Sequence, residues 1–145
     1  MIKIEYPNHP YKIREEQGKE VIFDEIRKLW VRLTPEEWVR QNFLQYLIKV
    51  KLYQPALIAV EKEIKLGELR KRCDIVVYKS TIPWMIIECK EMNVPLAEST
   101  LRQALNYNIA MNVQYLVITN GTQIFAWHFE KGKAELCEEI PGIQI

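Results

Sequence analysis

The sequence predicts an α/β fold, a central mixed sheet covered by helices, on three observations. Short apolar runs rich in β-branched residues, DIVVY, WMII and YLVIT, have strand length. Two longer segments, TPEEWVRQNFLQYLIKVKL and the stretch from about Pro95 to Asn112, carry helical spacing. The segments are interleaved in the order hairpin, helix, three strands, helix, two strands.

YKIREEQGKEVIFDEIRKLW reads as a hairpin around Gln17-Gly18, its second arm extending toward Trp30. The first helix starts clearly, with Thr34 as N-cap, Pro35 as first helical residue and Glu37 as third. Val39, Phe43, Leu47 and Val50 then share one face, and Pro55 lies just past the end. ALIAVEKEIKL, from Ala56, reads as a strand with Ile58, Val60 and Ile64 on one face, followed by a turn at GELR. DIVVY and WMIIECK are two further strands joined by KSTIP. After the second helix, YLVIT and TQIFAWHF flank Asn120-Gly121, a strong hairpin signal. The tail KGKAELCEEIPGIQI supplies one edge strand. No repeat, low-complexity tract or Gly/Ser linker divides residues 1–145, so a single domain is expected.

With 145 residues, 48% hydrophobic and 27% charged, the chain suits one globular core. A net charge of +1 provides no global basic field, so any nucleic-acid site must be a local patch. No apolar run approaches the about 20 residues that span a bilayer, and MIKIEYPNHP lacks a signal-peptide apolar region. No membrane partner is expected. Cys73, Cys89 and Cys137 are odd in number and form no C-x-x-C pair, which argues against a disulfide framework or zinc knuckle and for a cytoplasmic, reducing compartment. His9 and His128, far apart, read as a surface and a strand histidine.

The chemistry concentrates in KRCDIVVYKSTIPWMIIECKE, where Asp74, Glu88 and Lys90 interrupt otherwise apolar strands. An antiparallel pair closed by Tyr78 opposite Trp84 has Lys79 to Pro83 as its loop. It sets Val76 across from Ile86, Asp74 from Glu88 and Arg72 from Lys90. Directly opposed residues have Cβ atoms roughly 5 Å apart. Alternation puts Asp74, Glu88 and Lys90 on one face and Cys73, Ile75, Val77, Ile87 and Cys89 on the other. Two adjacent carboxylates can share Mg²⁺, which takes one or two protein carboxylates plus waters and phosphate oxygens. Such a metal polarises a phosphodiester and lowers the pKa of bound water, and a nearby lysine holds that water or stabilises developing charge. Taken alone, D-x13-E-x-K is a weak pattern, and a solvated strand-end Glu-Lys pair with a solvated Asp74 is the simpler reading.

The triad in this setting resembles the PD-(D/E)xK nuclease superfamily. LRQALNYN adds Gln103 and Tyr107, four apart on one helical face, similar to the Q-x3-Y helix of several branches. KRCDIVVY, IIECKE, RQALNYN and YLVITNG together resemble the N-terminal nuclease domain of type I restriction enzyme R subunits and their stand-alone relatives, from about Thr34 to Trp127. The resemblance implies a restriction-endonuclease-like fold. Asp74 and Glu88 would be metal ligands, with the Cys89 carbonyl as a third, for Mg²⁺ or Mn²⁺. Lys90 would be the catalytic lysine, and Gln103 and Tyr107 would orient the site or contact nucleic-acid backbone. Glu37 matches an acidic helix residue that completes such sites, and it is equally placed as the capping-box residue. Glu61 and Glu63 are lesser candidates. There is no phosphate-loop motif, so a motor or specificity function would come from separate proteins.

Lys62, Lys65, Arg70, Lys71 and Arg72 cluster around the GELR turn, with Lys90 and Arg102 near the same rim. Lys71, Arg72, Arg102 and Tyr107 are the candidate nucleic-acid contacts. Trp38, Trp84 and Trp127 read as core residues, and no sequence-reading helix is evident. Three functions stay open. The first is a divalent-metal-dependent endo- or exonuclease acting on DNA, with a homodimer as one route to two-strand cleavage. The second is a catalytically silent nucleic-acid-binding or assembly module of the same fold, and the third a structural domain with solvated charges.

Overall fold

The computed structural model describes residues 1–143. An antiparallel three-stranded sheet opens the chain, with β1 (Ile13–Glu16), β2 (Lys19–Asp24) and β3 (Leu29–Arg32). Helix α1 (Pro35–Lys49) follows, and a 3-10 turn, Pro55–Leu57, leads into the main sheet. That sheet holds β4 (Ile58–Leu66), β5 (Leu69–Lys79), β6 (Ile82–Cys89), β7 (Tyr115–Thr119), β8 (Ile124–Glu130) and β9 (Lys133–Leu136), side by side in that order. All neighbours are antiparallel except β6 and β7, which run parallel. Helix α2 (Glu98–Met111) lies in the connection between them, as a parallel crossover requires.

The sheet is covered on both faces. Val39, Phe43, Leu44 and Leu47 of α1 pack with Ile75, Val77, Ile87 and Val117. Met111 at the end of α2, with Leu101 and Leu105, packs with Val76, Ile86, Leu116 and Ile118. Two covered faces explain why the central strands read as nearly continuous apolar runs. This is the restriction-endonuclease-like mixed α/β arrangement.

Local chemistry accounts for most element ends. Gln17 and Gly18, with φ of 51° and 75°, form the left-handed two-residue turn that suits a twisted hairpin. The second arm does not run on to Trp30. It stops at buried Asp24, whose Oδ1 accepts the N–H groups of Ile26 and Arg27 at 2.8 Å each. That turn reverses the chain and starts β3. Thr34 caps α1 as expected, its Oγ1 accepting from the Glu37 N–H at 3.0 Å. The helix ends at Lys49, which leaves Val50 half-exposed instead of on the core face. Ala56 falls in the 3-10 turn, so β4 begins two residues later than expected. Gly121 has φ of 96°, which favours glycine, and an added Cβ would also crowd Val39 Cγ2 at 3.3 Å.

Two registers differ from the sequence reading. A bulge between Val77 and Tyr78 pairs Tyr78 with Pro83, not Trp84, and shortens the loop to Ser80 and Thr81. The Val76–Ile86 pair survives because the bulge lies beyond it. On β4, Ile58 and Val60 join the α1-side core while Ile64 joins the α2-side core. Cys73 likewise lies on the α2 side, opposite to Ile75. The change of side falls where Glu61, with φ of 55°, interrupts the ladder between the Val60–Ile75 and Lys62–Cys73 pairs.

Phe43 is fully buried between α1 and the sheet, whereas Ile82 at the β5–β6 turn is 67% exposed. Phe43→Ala is expected to cost about 3–5 kcal/mol in urea unfolding. Ile82→Ala should stay within about 0.5 kcal/mol of the parent.

Candidate active site

Strand β5 parts from both neighbours at one residue, Asp74. The β4–β5 ladder omits the Glu61–Asp74 pair, and the β5–β6 ladder stops at Ile75–Ile87. Beyond that point the Cys89 N–H would otherwise lack a β5 partner. The Asp74 side chain supplies one, its Oδ2 accepting from Cys89 N at 2.8 Å. Its Oδ1 accepts from Arg40 Nη2 at 2.7 Å. The carboxylate is thus pinned between β6 and α1.

Arg40 is the hub of this side. Only 6% exposed, it donates through Nη1 to Glu37 Oε1 and through Nη2 to Glu61 Oε1, each at 2.7 Å, besides Asp74. Glu36 lies 3.7 Å away. Arg27 donates to Glu37 at 2.9 Å and to Asp24 at 2.7 Å, Gln41 to the same two carboxylates, and Arg72 Nε to Glu61 Oε2 at 2.9 Å. Burial alone would lower the Arg40 pKa, but the Asp74 hydrogen bond and the charges of Glu37, Asp74 and Glu61 raise it. Burial alone would raise Glu61, yet Arg72 and Arg40 hold it below the ordinary carboxylate value. Glu36 is raised by burial first and by Asp74 second, with Arg40 and Lys90 opposing. Glu36 therefore senses both Asp74 and Lys90 across the rim.

The second half faces α2. Glu88 pairs with Lys71, and both are largely buried. Lys71 Nζ sits 5.1 Å from the Tyr107 ring centroid, and Tyr107 donates its hydroxyl to the Arg70 carbonyl at 2.5 Å. Glu88, Lys90, Gln103 and Tyr107 line one cavity of about 220 Å³, together with Lys71, Thr100 and Ala104. The exposed Lys90 is tethered by its backbone, which donates to the Thr119 carbonyl at 2.8 Å. Burial lowers the Lys71 pKa and the Lys90 charge adds to this, while Cys73 and Asp74 oppose it.

The sequence-selected residues fall into distinct places. Glu88, Lys90, Gln103, Tyr107 and Lys71 converge on the cavity. The expected Asp74–Glu88 and Arg72–Lys90 pairs do not form, because the β5–β6 ladder ends at Ile75–Ile87. Asp74 reaches the Cys89 N–H and Arg40 of α1 while Glu88 pairs with Lys71 at the cavity lined by α2, so the two carboxylates have separate protein cations. Glu37 is capped by Thr34, yet its own carboxylate turns to Arg27 and Arg40 and does not close the capping box. Arg72 is engaged with Glu61, and Arg102 is exposed and paired with Glu98 at 2.8 Å, outside the cavity lining. The exposed Glu63 lies 3.9 Å from Arg70. Sequence reasoning did not single out Arg40 or Glu36. Their signal was spacing, since Arg40 follows Glu36 by four and Glu37 by three on one helix.

The donor chemistry fits a hard divalent cation. Asp74 and Glu88 are oxygen donors flanking the Cys89 peptide, and both draw cations in this structure. Among the described residues no three His, Cys, Asp or Glu side chains form a metal-holding group, so a backbone carbonyl, water and substrate oxygens would complete the shell. The fully buried Cys89 thiol, pushed well up by burial and next by the Asp74 charge, is no thiolate ligand.

A family model described as the type I restriction enzyme R protein N terminus matches residues 35–143. The match begins at the first residue of α1 and leaves β1–β3 outside it. No curated protein and no solved structure matches the chain.

Arg40→Met removes the shared counter-charge of Glu37, Glu61 and Asp74 and is expected to cost about 3–5 kcal/mol at pH 7. A depressed folded-state pKa stabilises above the unfolded value, and that contribution is lost as pH falls through the folded one. Glu61 is such a group, so the deficit should shrink as the pH is lowered below the ordinary carboxylate range. Urea unfolding of both proteins at neutral and acidic pH checks this.

Proposed function

Because the chain belongs to the family of type I restriction enzyme R protein N termini, we propose that it is a metal-dependent nuclease. Its reaction is hydrolysis of nucleic-acid phosphodiester bonds, DNA foremost, in restriction or DNA processing. The observation that carries this reading is the convergence of Glu88, Lys90, Gln103 and Tyr107 on one cavity beside Asp74.

Asp74, Glu88 and the Cys89 carbonyl would hold Mg²⁺ or Mn²⁺. When bound, the metal polarises the scissile phosphate and lowers the pKa of its water. Lys90, exposed at the cavity mouth, presents an ammonium to the attacking water and to the charge developing on phosphorus-bound oxygens. Gln103 offers an amide donor to a phosphate oxygen from α2, one helical turn from Tyr107. Tyr107 anchors the cavity wall by donating to Arg70 and lying beside Lys71. Lys71 compensates Glu88 and is a second cation for the backbone. Arg40 keeps Asp74 aimed at the Cys89 peptide, and Glu37 acts through Arg40. The whole chain would work as one domain in the cytoplasm, with a homodimer or separate motor and specificity proteins as partners.

A second reading, a catalytically silent nucleic-acid-binding or assembly module, draws on the same two ion pairs. Arg40 and Lys71 already neutralise Asp74 and Glu88, which leaves a stable rim with no metal.

Purified chain incubated with plasmid and linear DNA should cut both or one of them with Mg²⁺ or Mn²⁺, and chelator should abolish cleavage. Lys90→Ala is expected to slow cleavage by about 10²–10³-fold with little change in unfolding midpoint. DNA binding with no metal-dependent cleavage would favour the silent module.

A further inference from the structure

The β1–β2–β3 sheet lies outside the family match. Its inner face carries Ile22 and Asp24, both fully buried, with Gln41 of α1 donating to Asp24. Side chains alternate along a strand, so the outer face holds the cross-strand row Arg14–Val21–Arg32 and the pairs Glu16–Lys19 and Phe23–Trp30. A groove of about 570 Å³ on this face is lined by Glu16, Gln17, Lys19, Val21 and Arg32. Arg14 lies over the Trp30 ring, 3.9 Å from its centroid, and Lys12 over Phe23 at 5.6 Å.

Lys12, Arg14, Lys19 and Arg32 are all exposed. Arg14 is paired with Glu16, the carboxylate of these rows and pairs, while Lys12, Lys19 and Arg32 have no ion-pair partner among the described residues. The face therefore carries three unmatched cations in a chain whose net charge is only +1. The GELR turn is the contrasting case. Its Arg70, Lys71 and Arg72 are matched by Glu63, Glu88 and Glu61. The chain leads from this sheet to the rim within a few residues: β3 ends at Arg32, Thr34 caps α1, and Glu36 and Glu37 stand at the Arg40 hub.

We propose that the outer face of the β1–β2–β3 sheet binds nucleic-acid backbone and holds it beside the Asp74–Glu88 rim. The choice of occupant rests on the nuclease reading and on charge complementarity. Each ring already carries a cation, so the contacts are ionic, to phosphates, and independent of base sequence.

The test is fluorescence anisotropy of a labelled short DNA duplex with the full chain in EDTA, across a salt series. Replacing Lys12, Arg14, Lys19 and Arg32 by Gln should weaken binding at least about tenfold and reduce the log–log salt slope by about 3. Lys62→Gln with Lys65→Gln should leave the slope unchanged. Should the fourfold variant melt early, Lys19→Gln with Arg32→Gln carries the same test, with a slope change of about 2. Unchanged affinity and slope in the sheet variants, or a slope lost in the Lys62/Lys65 variant instead, overturns the proposal. Sheet-dependent binding with no metal-dependent cleavage refutes the nuclease reading and leaves this surface standing. Cleavage with sheet-independent binding does the reverse.

Discussion

A single guanidinium ties the helix to the sheet at the point where the sheet comes apart. Arg40 reaches from α1 to Glu37 on its own helix, to Glu61 on β4 and to Asp74 on β5. Three carboxylates this close would repel one another, and a buried cation with several hydrogen bonds is the arrangement that tolerates them. Its cost is visible in the same place. Glu61 adopts a left-handed φ, and Arg40 Nε is buried without a partner among the described residues. Strain and charge collect where the β4–β5 ladder skips one pair and the β5–β6 ladder ends, and the Asp74 carboxylate is what bridges the gap to β6.

That break divides the rim into two electrostatic halves. On the α1 side, acidic groups surround Arg40. On the α2 side, Glu88 is answered by Lys71, with Lys90 close by. The Cys89 peptide connects them, its N–H on Asp74 and its chain neighbours Glu88 and Lys90 at the cavity. A site of this kind depends on precise packing beneath it, which the two-faced core of the main sheet provides.

Much of the fold was legible because its signals are local. Thr34-Pro35, Gln17-Gly18 and the apolar runs each encode an element within a few residues. The cavity residues were legible for the same reason. Glu88 and Lys90 are two apart on an extended segment, and Gln103 and Tyr107 four apart on a helix, so each pair shares a face by periodicity alone. The Val76–Ile86 register was right although its closing turn was not, because the bulge at Val77 and Tyr78 leaves no mark in composition. Strand β3 was hidden by the side-chain turn of Asp24, and the change of side along β4 and β5 falls at a left-handed glutamate. Arg40 was unreadable as a hub because two of its partners come from β4 and β5, distant in sequence. The pairing of Glu88 with Lys71, rather than with a cation shared by Asp74, is likewise a consequence of tertiary geometry.

The proposed metal site requires Asp74 and Glu88 to share one ion although each has its own protein cation. Diffraction from crystals soaked in Mn²⁺, with data collected at the manganese edge, tests it most directly. One anomalous peak is expected, coordinated by both carboxylates next to the Cys89 carbonyl, with Lys71 moved off Glu88. A peak elsewhere, or none while both ion pairs persist, would contradict it.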